Sequence, residues 1–225
     1  MNDNAAGMVP AVLPAGTPDL VEMRARAEAA RRFGTHRLPD NLKEWELSRG
    51  RLRARIAQKT GAVLSQDLPL DMRETRVLKH DGYTVKNIVY QTRPGVYATA
   101  NLYIPDGRGP FPAAVVMAGH SRDGRLGYPY LGYTLALNGF VAVAVDPWGA
   151  GERTTLHGSK EYHGANLGAS LMNVGESLMG MQITDNMRAV DLLCSLPFVD
   201  ASRLGATGAS GGGNQTMWLA AMDER

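Results

Sequence analysis

Gly208-Ala209-Ser210-Gly211-Gly212 stands between two segments of different character. Before it, Arg203 to Ala209 reads as a short strand; after it, Asn214 to Ala221 continues as a helix with Met217, Leu219 and Ala221 available for packing. A strand that passes directly into a helix must turn sharply. Glycines two positions before and two after Ser210 let the two backbones approach without Cβ collisions. A G-x-S-x-G turn of this kind holds its serine exposed at the carboxyl end of the strand, which makes Ser210 a candidate nucleophile. A phosphate-cradling loop is the weaker reading, because neither G-x-x-x-x-G-K-[ST] nor G-x-G-x-x-G with a downstream acid is present.

Upstream, the pattern is the one such a turn requires. Glu74 to Lys79, Tyr83 to Gln91 and Val96 to Ile104 are separated by His80-Asp81-Gly82 and Arg93-Pro94-Gly95, and predict antiparallel strands. The apolar runs Ala113 to Ala118 and Phe140 to Val145 flank a helical stretch, Tyr128 to Asn138, and predict a parallel βαβ unit. Ser177 to Leu196 predicts a longer helix, with Met179, Ile183, Met187, Val190 and Cys194 on its buried face. Cys194 is then an inert core thiol, and the methionines are core filler. Further upstream, Thr17-Pro18 predicts a helix start with Asp19 and Glu22 in the first turn. A second helix is expected from Asp40 to about Lys59, with Leu42, Trp45, Leu52 and Ile56 near one stripe.

Composition bounds the partners. The 225 residues are 44% apolar and 20% charged, with one cysteine and a formal charge of +2. That describes a globular protein without an intramolecular disulfide. Residues 1 to 65 carry a net +4 and residues 66 to 225 a net −2. The basic residues Arg49, Arg51, Arg53, Arg55 and Lys59 alternate around their helix without interleaved aromatics, so they read as a solvated face and no nucleic-acid partner is expected. No apolar run approaches the roughly 20 residues that span a bilayer, so no membrane partner is expected. Met1 to Gly16 reads poorly as a signal peptide, and the compartment stays open between cytoplasmic and exported.

A serine nucleophile needs about two N–H donors aimed at the oxyanion. Gly211 supplies the first, and the loop Gly119 to Gly124 the second, with Ser121 N–H chosen and Arg122 as the alternative. His120 on that loop reads as a loop-shaping, substrate-side residue rather than the base that takes the serine proton, because in this motif the base follows the nucleophile in chain order. Glu152 and Arg153 are expected to pair with neighbours, and Asp185 with Arg188 as an i,i+3 helix pair. His157, Glu161 and His163 lack metal-ligand spacing, so neither a metal nor any other cofactor is expected.

Gly119-His120-Ser121, Asp146-Pro147-Trp148-Gly149-Ala150-Gly151-Glu152-Arg153, Ser177 to Met181 with Asp185 and Arg188, Val199 to Gly205, and Gly208 to Thr216 together resemble the acetyl xylan esterase-like branch of the α/β-hydrolases. That branch is close to the dienelactone hydrolases. The resemblance covers roughly residues 74 to 225 and departs at Gly119-His120, where many relatives read His-Gly. It implies a serine carboxylesterase that deacetylates carbohydrate or related small-molecule esters through an acyl-enzyme on Ser210, with His120 and Trp148 on the substrate side. A prolyl oligopeptidase-type peptidase and a non-catalytic binding module on the same fold are the alternatives.

In this fold the triad order is Ser, Asp or Glu, then His. No histidine follows Ser210, and Asp223 and Glu224 would lie at the far end of its helix. The expectation is therefore an incomplete α/β-hydrolase fold, a mostly parallel sheet with antiparallel N-terminal strands. A helical extension over 1–65 precedes the first part of the hydrolase domain over 66–225, truncated after the nucleophile helix. Such a chain would be inactive alone and would need the remainder of its own hydrolase domain for a complete core.

Overall fold

The computed structural model describes residues 19–154 and 165–225. The suggested helix start at Thr17-Pro18, the doubtful signal segment and the trio His157, Glu161 and His163 lie outside them. Two compact units are present, Met1–Arg49 and Gly50–Arg225.

Helix α1, Leu20–Gly34, is capped by Asp19, whose carboxylate accepts from Val21 and Glu22 N–H at 3.1 Å each. Helix α2 runs over Leu42–Thr60 and buries no residue completely. Leu42, Trp45 and Leu52 of the expected apolar stripe are exposed, and only Ile56, with Ala57 beside it, packs against the core of the second unit. Arg51, Arg55 and Lys59 are solvated as expected. Arg53 is not: it pairs with Glu224 and donates to the Met222 carbonyl at 2.7 Å.

The second unit is built on one six-stranded sheet. Strands β1 (Arg73–His80), β2 (Tyr83–Arg93) and β3 (Val96–Pro105) form an antiparallel meander. Next come β4 (Phe111–Met117), α3 (Pro129–Leu137), β5 (Val141–Val145), α4 (Ala165–Asn173), α5 (Leu178–Ser195), β6 (Val199–Gly208) and α6 (Gly211–Met222). The sheet order is β1-β2-β3-β5-β4-β6. Both partners of β4, which are β5 and β6, run parallel to it, while β3 meets β5 antiparallel. The sheet is therefore mixed, and among the described residues antiparallel pairings outnumber parallel ones.

Every residue of β5 is buried, as a strand covered on both faces demands. One face packs on α5 and α6 through residues such as Ile88, Leu102, Val143, Ile183 and Leu193. The other carries a smaller cluster in which Val85, Tyr103 and Val116 meet the α3 side. On α5, Ile183, Met187 and Val190 are buried, and Met179 and Cys194 lie at the edge of the same cluster. This arrangement brings the carboxyl ends of the three parallel strands, at Met117, Val145 and Gly208, to one side of the sheet. Open α/β sheets place ligands on that side.

Candidate active site

Ser210 follows β6 by one residue and is the N-cap of α6, with φ +57° and ψ −115°. Only one other described non-glycine residue, Asp71, has a positive φ. Holding a serine in such a region costs on the order of 1–3 kcal/mol, which the packing around it must offset. Two glycines allow that packing. A Cβ on Gly208 would lie 2.5 Å from the Gly212 backbone, and one on Gly212 would lie 2.1 Å from the Met117 carbonyl oxygen. The start of α6 therefore presses directly on the end of β4. Although Ser210 occupies the cap position, its side chain makes no capping bond; the hydroxyl is exposed and meets His120 Nδ1.

His120 is on the loop that leaves β4. It is held beside the serine because Gly119 abuts Ala209: a Cβ there would stand 2.4 Å from the Ala209 oxygen. Gly211 N–H, the first expected oxyanion donor, points at the same His120 Nδ1 at 3.3 Å. Ser121 is tied into a turn, its hydroxyl accepting from Asp123 N–H and its carbonyl from Gly124 N–H, both at 3.1 Å. His120, Ser121, Trp148, Gln182, Ser210 and Gly211 line one cleft of about 500 Å³. The structure thus gathers all five residues singled out in the sequence into one cleft.

Behind the cleft lies a buried polar hub that the sequence reading did not single out. Asp146, fully buried at the end of β5, accepts from Thr99 Oγ1 at 2.7 Å, Arg125 N–H at 2.8 Å and Glu152 N–H at 3.1 Å, and pairs with the Arg125 guanidinium. Arg125 is itself buried and also donates to Asn101 Oδ1 at 2.7 Å and to Glu152 at 2.5 Å. Gly124 and Gly151 wrap the carboxylate so closely that a Cβ on either would fall 2.2 Å from Asp146 Oδ1. The available sequence signal was a glycine in each of the two loops, Gly124 after β4 and Gly151 after Asp146.

Glu152 and Arg153 pair with neighbours, as expected. The partner of Arg153 is Asp185, and its guanidinium also lies 3.9 Å from the Trp148 ring centroid. The expected Asp185–Arg188 helix pair is thereby corrected: Arg188 pairs instead with Asp191 at 2.7 Å and donates to the Leu68 carbonyl at 2.6 Å. Arg153 thus meets both the Asp185 carboxylate of α5 and the Trp148 ring of the cleft wall. Burial, and after it the Asp185 carboxylate, pushes the Tyr90 hydroxyl far above the ordinary phenol range against the opposing influence of Arg153 and Arg188. Tyr90 is neutral and structural, bonding the Asp185 carbonyl at 3.3 Å.

Among the described residues, no group of three or more His, Cys, Asp or Glu side chains could hold a metal ion. No described helix is long and apolar enough to cross a membrane.

Comparison with known proteins agrees with this fold. YtaP of Bacillus subtilis (strain 168) is 33% identical over 87 residues, covering 39% of this chain and 27% of YtaP. Among solved structures, BF1801 of Bacteroides fragilis NCTC 9343 superposes with a TM-score of 0.69 at 20% identity, over 80% of this chain and 51% of that one. Methylesterase BT1017 gives 0.66 at 26% identity, over 90% of this chain and 43% of its own. An acetyl xylan esterase from Paenibacillus sp. R4 gives 0.56 at 24%, over 84% and 58%. The chain therefore spans about half the length of these structures and about a quarter of YtaP. The model of the family described as acetyl xylan esterase (AXE1) matches residues 62–225, which is most of the chain and includes every described strand, the Ser210 turn and the Asp146 hub. The chain belongs to the acetyl xylan esterase (AXE1) family.

Proposed function

We propose that this chain carries the nucleophile of a serine carboxylesterase whose reaction is deacetylation of carbohydrate or related small-molecule esters. Ser210 Oγ attacks the acyl carbon, the oxyanion is met by the amides of Gly211 and Ser121, and an acyl-enzyme on Ser210 is then hydrolysed. Trp148 and His120 form the substrate side of the cleft. The observation that carries the reading is the placement of Ser210: an exposed hydroxyl in a left-handed backbone, released from capping and bonded to an imidazole. Family membership supports ester rather than peptide chemistry.

No histidine follows Ser210 in the 225 residues, and Asp223 and Glu224 are engaged by Arg225 and Arg53. A Ser, Asp, His arrangement in that chain order is therefore not assembled from these residues. Turnover by the 225-residue chain is expected to lie about 10⁴-fold below that of a complete triad.

The test is active-site labelling. A fluorophosphonate should modify the chain at Ser210, located by peptide mapping, and Ser210→Ala should abolish both labelling and residual aryl acetate hydrolysis. A label that never falls on Ser210 would favour a non-catalytic binding module. Release of a peptide amine in preference to aryl acetate would favour a peptidase.

A further inference from the structure

Three arginines stand on the described loops that leave β4 and β5, and two of them are committed. Arg125 pairs with Asp146 and Glu152, and Arg153 with Asp185. The third, Arg122, is exposed and lines the cleft, and among the described residues its guanidinium has no hydrogen-bond or ion-pair partner. Its place in the wall is nevertheless fixed. The Arg122 carbonyl accepts from Gly151 N–H at 3.0 Å, which ties it to the β5 loop, and the turn around it is closed by Gly124 N–H on the Ser121 carbonyl at 3.1 Å. Arg122 is two residues from His120, whose ring touches Ser210, so the two Cα atoms lie within about 7 Å of each other.

No acid faces this cation in the described wall of the cleft. Besides the His120 imidazole, the other described side chains that line it are neutral: amides such as Gln182 and Asn214, and apolar groups such as Trp148 and Leu178. A substrate seated there covers the guanidinium. A neutral substrate strips it of water and returns no charge, which costs binding free energy. A substrate that carries a carboxylate replaces that water with a charge-assisted bond whose two prongs match the planar fork of arginine. The cleft therefore discriminates in favour of the anion, by a loss on one side as well as a gain on the other.

We infer that Arg122 selects esters whose alcohol portion bears a carboxylate, so that the substrate is an acidic rather than a neutral alcohol ester. This rests on the reading of Ser210 as the nucleophile of a deacetylase. The acyl group in that reading is acetyl, which has no ionisable atom, and the carboxylate must therefore belong to the alcohol portion. Arg122 is then a substrate-binding residue that sets specificity and takes no part in making or breaking bonds.

The experiment uses two isosteric acetates, para-acetoxybenzoate and para-acetoxybenzamide, which differ by one charge. The ratio of their kcat/KM values, acid over amide, cancels whatever acts on both. In the 225-residue chain, Arg122→Gln should lower that ratio about tenfold, with the loss in KM. Arg122→Lys, which keeps the charge without the planar fork, should recover part of it. Added salt should lower the wild-type ratio and leave that of Arg122→Gln unmoved. An Arg122→Gln ratio within about twofold of wild type, the size of a fully solvated ion pair, would overturn the inference even if both rates fell together. Binding separates this outcome from the fate of the nucleophile. In Ser210→Ala, which forms no acyl-enzyme, para-hydroxybenzoate should bind about tenfold more tightly than para-hydroxybenzamide in an NMR titration, and adding Arg122→Gln should remove the difference. Equal binding of the two by Ser210→Ala would overturn the role of Arg122. Hydrolysis of both acetates undiminished in Ser210→Ala would instead sink the nucleophile reading.

Discussion

Three consecutive glycines open α6, and the structure assigns their alanine variants different fates. At Gly212 an added Cβ would lie 2.1 Å from the Met117 carbonyl oxygen, 2.9 Å from its carbon and 3.1 Å from the Ala118 carbonyl carbon. All three are backbone atoms of the β4 end, held by parallel pairing to β5 and β6. Restoring even a 3.0 Å contact requires α6 to retreat by about 0.9 Å from a strand that cannot yield. Overpacking of this kind typically costs 1–3 kcal/mol, and where the clash is against fixed backbone the cost sits at or above the top of that range, about 3 kcal/mol. At Gly213, one residue on, the nearest atom is the Gly208 oxygen at 3.4 Å, an ordinary contact. Gly213→Ala removes only backbone freedom and should stabilise by about 0.5 kcal/mol. Urea unfolding followed by far-UV circular dichroism measures both from the midpoint, provided the slope is unchanged. A Gly212→Ala variant as stable as wild type, or a Gly213→Ala variant less stable than it, would refute the reasoning about how α6 meets β4.

Two further predictions concern charge. Arg125 has one buried carboxylate partner, Asp146, and one exposed partner, Glu152. Asp146→Ala leaves the buried guanidinium with only the exposed Glu152 as a counter-charge and should cost about 3 kcal/mol, whereas Glu152→Ala should stay within about 0.5 kcal/mol, as urea unfolding of the two variants would show. Asp200, at the start of β6, has its carboxyl pulled down to about 2 by the Ser202 hydroxyl, then by Arg203 and the Ser202 amide. A depressed carboxyl contributes stability above its unfolded value of about 3.9 and loses it as pH falls toward the folded one. A carbon-detected NMR titration should therefore find Asp200 titrating near 2, and Ser202→Ala should raise it.

Much of the sheet was legible because its strands are written in two clear dialects. Alternating β1 to β3 and uniformly apolar β4 and β5 left little choice of element, and the observed bounds differ by a residue or two. Strand β6 was harder. It begins at Val199, four residues before the expected start, because Val199 is buried and pairs with Phe111 across a register shift. The nine-residue α4 lies beside a glycine-rich stretch and is too short to carry a convincing period. The apolar residues of α2 illustrate the reverse failure: a stripe of Leu42, Trp45 and Leu52 is readable, but its exposure is not. Ser210, Gly211, Ser121, His120 and Trp148, singled out by motif position, line one cleft. What escaped was pairing at long range. Arg153 meets Asp185 across 32 residues, whereas helical spacing offered Asp185 only the neighbour Arg188. The contact of the His120 ring with Ser210 is likewise visible only in the fold.

The buried charges behind the cleft have a common logic. Glycines at 124, 149 and 151 give the cleft loops the sharp turns they need, but each also gives the chain freedom that apolar packing alone does not remove. A buried ion pair adds little net stability compared with a hydrophobic replacement of equal volume; what it adds is direction. Asp146 uses its carboxylate oxygens to fix the β4 loop through the Arg125 amide and the β5 loop through the Glu152 amide. Arg153 then ties the β5 loop to α5 through Asp185 and presents Trp148 on its face. Gln215 on α6 completes the set, donating to the Ala118 carbonyl at 3.4 Å and accepting from Asn186 of α5 at 3.2 Å. Each segment that contributes a cleft residue is thus tied by a directional bond to another. The spacing of Ser210, Gly211 and His120 is consequently set by the sheet and two helices rather than by the loops themselves.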